Sequence, residues 1–367
     1  MLTIGYDRQT FALQAYGGVS RYFSDLYGGL SSSESIKAIA LFRYHQNNYL
    51  RQYFRGKNLN ASLARKYERF MLNWSPPVPI STEVDIHHAT FYLGVPWKSK
   101  KSGLLVSTLY DMTPEIHTSF FPKGNPHKNK LEWLRKSDLI ISISDSAKND
   151  LLMLYPELSG KVQTIHLSSG FGPDMPAIMP EAISSLHGPY LLIVGKRGGY
   201  KNVWPLIECF AKSNLARKGF NLLLAGGGKI SEKECSRLHS LSINNHVYQL
   251  APSDPELWCL YQNASAILVP SLAEGFSLPL VEALYANTPI ICSEIPVHKE
   301  VAGDFSVLIK PGHINDWIDA LNTVESIQTP KELLGAEYNP RRLYFSKSRM
   351  VDDHISAYQK LGKQALS

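Results

Sequence analysis

The sequence lacks any run of the ~18 consecutive apolar residues that a membrane-spanning helix requires, and Met1 to Asp7 form neither a basic leader nor an apolar signal core. Membrane spanning and secretion are therefore not expected. Cysteine is scarce: Cys209, Cys235, Cys259 and Cys292 stand singly, with no C-x-x-C pair. That argues against a disulfide framework or a zinc knuckle and fits a reducing cytoplasm. No solenoid-type repeat, low-complexity tract or D-x-D triplet between apolar strand residues is present; Asp352 and Asp353 are adjacent, in a predicted helix. Metal dependence is not expected, and no cofactor is called for. Charged residues are few as well, 19% against 44% hydrophobic over 367 residues, which excludes a disordered chain and supplies cores for about two domains.

The charge that exists is unevenly placed. The net +6 equals the local excess of residues 43–74, where Arg43, Arg51, Arg55, Lys57, Arg65, Lys66 and Arg69 face a single acid, Glu68. Leu63, Tyr67, Phe70, Met71 and Trp74 recur there at helical spacing, with the cations largely off that stripe. An amphipathic basic helix is expected, able to rest on anionic lipid at the inner face of the plasma membrane or to pack on its own domain. No nucleic-acid motif accompanies it, so nucleic acid is not an expected partner.

Short apolar runs alternate with longer amphipathic stretches, the signature of parallel strands separated by crossover helices. Strands are expected at residues 2–6, 36–41, 86–89, 104–108, 139–143 and 162–165, and again at 190–195, 220–225, 246–250, 266–270 and 289–293. The breaker-rich stretch Ser168 to Pro189 separates the two sets. The class is α/β: two Rossmann-like, doubly wound domains, residues 1–170 and 189–345, joined by a linker at 171–188 and facing across a ligand cleft. A C-terminal helix over 346–367 is expected to pack toward the N-terminal domain.

Two motifs carry chemistry. In Val269-Pro270-Ser271-Leu272-Ala273-Glu274-Gly275-Phe276-Ser277-Leu278-Pro279-Leu280-Val281-Glu282, a strand ends, a loop presents Glu274, and Ser277 is placed to cap a helix that tolerates Pro279 in its first turn. The free N–H groups of such a helix start favour an anion. Carboxylates at 274 and 282 suit the vicinal hydroxyls of sugar or ribose, so the implied ligand combines phosphate with sugar. The second motif, Leu191 to Asn202, runs an apolar strand into a glycine loop with three cations, of which Arg197 and Lys201 are suited to grip a diphosphate. It is not G-x-G-x-x-G, which argues against a nicotinamide site.

Together the E-x7-E element and the Arg197/Lys201 loop resemble glycosyltransferase family 4, retaining nucleotide-sugar enzymes of the GT-B fold. The resemblance extends to Tyr16-Gly17-Gly18-Val19-Ser20-Arg21-Tyr22, Ser144 to Asp150 and Glu300-Val301-Ala302-Gly303-Asp304. It implies that Arg197 and Lys201 hold the donor diphosphate and Glu282 the ribose. Glu274, with the N–H groups of Phe276, Ser277 and Leu278, would hold the transferred sugar, and Gly17 and Gly18 would approach from the other domain. Many members carry a His before the acid of the segment matching Ser107 to Asp111; here Tyr110 occupies that position, beside Asp111. His88 aligns with a cleft-facing position. Tyr110, Asp111 and His88 are thus candidate acceptor or sugar contacts.

The resemblance further implies a mannosyltransferase that uses GDP-mannose as co-substrate and a glycan or lipid-linked acceptor, in bacterial polysaccharide or lipopolysaccharide O-antigen biosynthesis. A nucleotide-sugar epimerase of the same architecture and a non-catalytic nucleotide-sugar-binding protein remain the alternatives.

Overall fold

A computed structural model describes residues 1–42, 45–54, 83–98, 100–101, 103–184, 186–327 and 340–365. Arg43 and residues 55–74 of the basic segment, and with them the expected amphipathic helix, lie outside the described residues. The chain divides into two units, one made of residues 1–170 and 345–367 and the other of 171–344.

The first unit is built on a six-stranded sheet of β1 (Leu2–Tyr6), β2 (Ile36–Ala40), β3 (Ile86–Ala89), β4 (Leu104–Leu109), β5 (Leu139–Ser142) and β6 (Val162–Thr164), in the order β2-β1-β3-β4-β5-β6. Every pair is parallel. Strands buried on both faces need no polar alternation, which is why Leu104-Leu105-Val106-Ser107-Thr108-Leu109 is buried at all six positions. The second unit repeats the plan with β7 (Tyr190–Val194), β8 (Asn221–Ala225), β9 (Val247–Leu250), β10 (Ala266–Val269), β11 (Ile290–Ser293) and β12 (Val307–Ile309), ordered β12-β11-β10-β7-β8-β9. Here the strand order reverses between β7 and β10. The carboxyl ends of those two strands are where an open α/β sheet takes its ligand.

The C-terminal helix, Lys347–Gln364, begins at Ser346, whose side chain accepts from the Arg349 N–H. It packs within the first unit against the helix Gly18–Ser31. Its buried face carries polar groups into the core. The Tyr358 hydroxyl meets His88 Nδ1 at 2.7 Å and the Tyr6 hydroxyl at 3.0 Å, while His88 Nε2 meets Thr108 Oγ1 at 2.8 Å. His354 lies 2.7 Å from the Met350 carbonyl through Nδ1, so Nδ1 carries the proton and Nε2 accepts from Tyr22 at 2.7 Å.

Burial without a counter-charge pushes the His354 imidazole down to about 4 and His88 well below its ordinary value. Both are neutral in the fold, and unfolding returns them to ~6.5. Their contribution to stability is therefore complete above pH ~6.5 and lost as pH falls through about 4. Thermal melting of the first unit should drop steeply between pH ~6.5 and about 4, and His354→Gln should flatten that slope. An unchanged slope would remove His354 from the acid response.

Candidate functional site

The two motifs meet at the reversal point of the second sheet. The loop leaving β7 turns at Gly195 (φ 113°) and Gly199 (φ 64°) and enters the helix Val203–Lys212 through Asn202 in the left-handed region (φ 53°). The loop leaving β10 is tied to it where the Leu272 N–H donates to the Tyr200 carbonyl at 2.8 Å. Lys201 Nζ donates to Glu274 Oε1, which also accepts from the Ser271 hydroxyl at 2.7 Å. Two side chains 73 positions apart thus form one ion pair. Glu282, on the helix Leu278–Ala286, is 6% exposed, and one of its carboxylate oxygens accepts from the Tyr261 hydroxyl at 2.7 Å.

Arg197 is not a free cation. Its guanidinium is 6% exposed and wholly engaged: Nε and Nη2 form a fork on Glu234 at 2.9 and 3.3 Å, Nη1 reaches the carbonyls of Gly226 and Gly228, and Nη2 reaches that of Lys229. Gly226, Gly227 and Gly228 all have φ between 72° and 82°. A Cβ at Gly227 would come within 2.7 Å of the Gly195 carbonyl and 3.0 Å of Arg197 Nη1, so the glycine turn is wrapped around the guanidinium. Glu234 in turn closes a capping box with Ser231, and Arg197 holds its carboxyl down at about 2. Its donors face the turn, so a diphosphate grip by Arg197 would have to draw them from Glu234 and the turn carbonyls. The exposed ammonium beside it belongs to Lys196; both residues line an open hollow of ≈740 Å³ together with Gly198, Gly228, Lys229, Ser231 and Glu234.

Ser277 corrects an expectation. Its φ of 124° turns the side chain away from a capping role; no cap hydrogen bond forms, and the buried Oγ has no partner among the described residues. The residue carries both backbone strain and an unsatisfied hydroxyl. Ser277→Gly should raise the stability of the second unit by about 1 kcal/mol after the entropic cost of glycine, read as a higher denaturant midpoint at unchanged slope. A lower midpoint would contradict the strain.

Sequence reasoning missed His298. It lies buried on the helix Pro296–Val301 and donates through Nδ1 to the Ser293 carbonyl at 2.8 Å, leaving Nε2 buried without a partner among the described residues. Burial depresses it to about 4 against the opposing pull of nearby Glu274.

Gly17, Gly18, His88, Tyr110 and Asp111 lie in the first unit. Gly17 precedes the helix Gly18–Ser31, where a Cβ would strike the Gln14 side chain at 2.4 Å. His88 is fully buried in the Tyr358 network described above, and Tyr110 is buried with its hydroxyl donated to the Thr90 carbonyl at 2.6 Å. Both side chains spend their polar atoms on internal hydrogen bonds. Asp111 is partly exposed and accepts from the Thr113 N–H at 2.9 Å. The polar centre at the carboxyl ends of β1 and β3 is instead Asp7, whose buried carboxylate takes hydrogen bonds from Gln9, Thr90 and His87.

Over 94% of its length the chain is 24% identical to O-antigen chain mannosyltransferase B of Escherichia coli, covering 96% of that protein. Its fold is shared with the lipopolysaccharide outer core galactosyltransferase WaaB in its apo form (TM-score 0.59, 17% identity, 98% of this chain and 100% of that one). It is shared also with Anabaena Alr3699/HepE in complex with UDP (TM-score 0.61, 14% identity, 98% and 100%). Residues 176–338, a stretch that includes Lys201, Glu274 and Glu282, match the family model of glycosyl transferases group 1.

Proposed function

We propose that this protein is a retaining glycosyltransferase that moves mannose from GDP-mannose to a glycan or lipid-linked acceptor in bacterial polysaccharide or O-antigen assembly. The observation that carries the reading is the Lys201–Glu274 pair, which joins the cationic turn and the E-x7-E element at the sheet's reversal point. The mannosyltransferase relative, matched along nearly the whole chain, supports the choice of sugar.

As the bond between sugar and diphosphate breaks, negative charge grows on the leaving phosphate and positive charge on the ring. Lys201 and the exposed Lys196 supply fixed positive charge for the former. The start of the helix Leu278–Ala286 adds oriented N–H groups. Glu282, fixed in orientation by Tyr261, suits the ribose diol, and Glu274 suits the hydroxyls and developing charge of the sugar. Glu274 is already held by Lys201 and Ser271, an arrangement that favours electrostatic support and same-face displacement over a covalent intermediate. With lysines and a helix start neutralising the leaving group, activity is expected to persist in EDTA. No helix among the described residues is long and apolar enough to cross a membrane; action on a lipid-linked acceptor would place the protein at the cytoplasmic face of one.

A thermal-shift panel tests the donor. GDP-mannose at ~100 times its Kd should stabilise the protein by about 2.7 kcal/mol, whereas UDP-, ADP- and dTDP-sugars at the same concentration should not. Stabilisation by UDP sugars alone would overturn the GDP-mannose assignment.

A further inference from the structure

A second hollow, of ≈400 Å³, lies in the first unit between the loop that follows β3 (Phe91 to Leu93) and the segment Lys123 to Asn129. That volume is within the ~300–1,000 Å³ of small-molecule sites, and the β3 loop leaves the carboxyl end of its strand, the edge where open α/β sheets take ligands.

Its frame is fixed from behind. Buried Lys130 is held by Glu115 at 2.8 Å and the Asp111 carbonyl at 2.7 Å. Asn125 donates to Glu115 at 2.7 Å and accepts from the His127 N–H at 2.7 Å, while Asn129 donates to the Gly94 carbonyl at 3.0 Å. The wall is aromatic: Phe91, half-buried, meets His127 edge-on at 5.4 Å and lies against Tyr92 and Tyr110. Two cations are left over. Lys123 and Lys128 are exposed and make no ion pair among the described residues.

An aromatic wall takes the C–H face of a pyranose ring, and unpaired ammonium groups take an anion. A neutral sugar would leave the two lysines idle, and a simple anion would leave the aromatic wall idle. We propose that this hollow binds an anionic sugar, a hexose carrying a phosphate or a carboxylate, with its ring against Phe91 and its charge between Lys123 and Lys128. Taken with the glycosyltransferase reading, on which this part rests, that sugar belongs to the acceptor glycan.

Saturation-transfer NMR on the full chain, with mannose 6-phosphate, glucuronate and mannose as probes, tests this without turnover. The two charged probes separate phosphate from carboxylate as the source of charge. At least one of them should bind about tenfold more tightly than mannose, and that advantage should vanish in K123A/K128A. Those substitutions lie on exposed positions and should leave the melting temperature unchanged. Phe91→Ala should weaken the ring-proton signal, and GDP-mannose should not displace the probe. Inorganic phosphate should compete only weakly.

Equal binding of mannose and both charged sugars would overturn the proposal, as would binding that survives K123A/K128A. Displacement by phosphate as effective as by the sugars would show an anion site without a ring contact and would overturn it too. Loss of this site leaves the donor reading intact; conversely, sugar binding here without turnover of any GDP-, UDP-, ADP- or dTDP-sugar would sink the transferase reading alone.

Discussion

Glu274→Gln lowers the rate of sugar transfer by about 100-fold, equivalent to ~3 kcal/mol of transition-state stabilisation, with little change in melting temperature. The substitution keeps a hydrogen-bond acceptor for Ser271 and Lys201 and removes only the charge. Lys201→Ala should produce a loss of similar size. Because the two side chains act as one pair, the double variant should be little slower than either single variant. The check is kcat at saturating donor for the four proteins. Full additivity, or single variants within about threefold of the parent, would separate the pair from the chemistry.

Arg197→Ala is expected to be severe for a different reason. A diphosphate cation would be replaced tolerably by lysine, which keeps the charge. A guanidinium that binds Glu234 as a fork and three carbonyls of the turn cannot be so replaced, because lysine has neither the planar donors nor the reach. Arg197→Ala should therefore destabilise the second unit by about 3 kcal/mol, since it strands Glu234 and the inward-turned carbonyls. Transfer should fall with the loosened turn. Arg197→Lys should recover little of either, and Glu234→Gln should share the phenotype. Recovery of activity by lysine would return Arg197 to the role of a phosphate cation. The pair should also resist acid: the folded Glu234 carboxyl lies at about 2, below its ordinary value, so its contribution is complete above pH ~4.5 and lost only as pH falls through about 2.

The strands were legible because parallel strands covered on both faces read as unbroken apolar runs, and eleven of those expected from such runs coincide with observed strands to within a residue or so. β12, Val307–Ile309, was not legible: it is three residues long, at the sheet edge, with two positions only partly buried. Glu274, Glu282 and Lys201 could be read because their meaning lies in spacing near strand ends. That Arg197 is held by its turn while Lys196 is exposed could not be read, because it depends on Glu234, 37 positions downstream. His88 met the same difficulty: its partner Tyr358 arrives from a helix 270 positions later. The capping role of Ser277 failed on a backbone angle that composition does not reveal. Local chemistry was readable, whereas which way a side chain faces was decided by distant chain.

The most direct test follows GDP-mannose by phosphorus and proton NMR in the presence of EDTA, with methyl α-mannoside as the acceptor probe. The account predicts accumulation of GDP together with a new α-mannosyl anomeric signal, both lost in Glu274→Gln. An intact GDP-mannose spectrum, or conversion to another GDP-hexose with the diphosphate linkage unbroken, would contradict it.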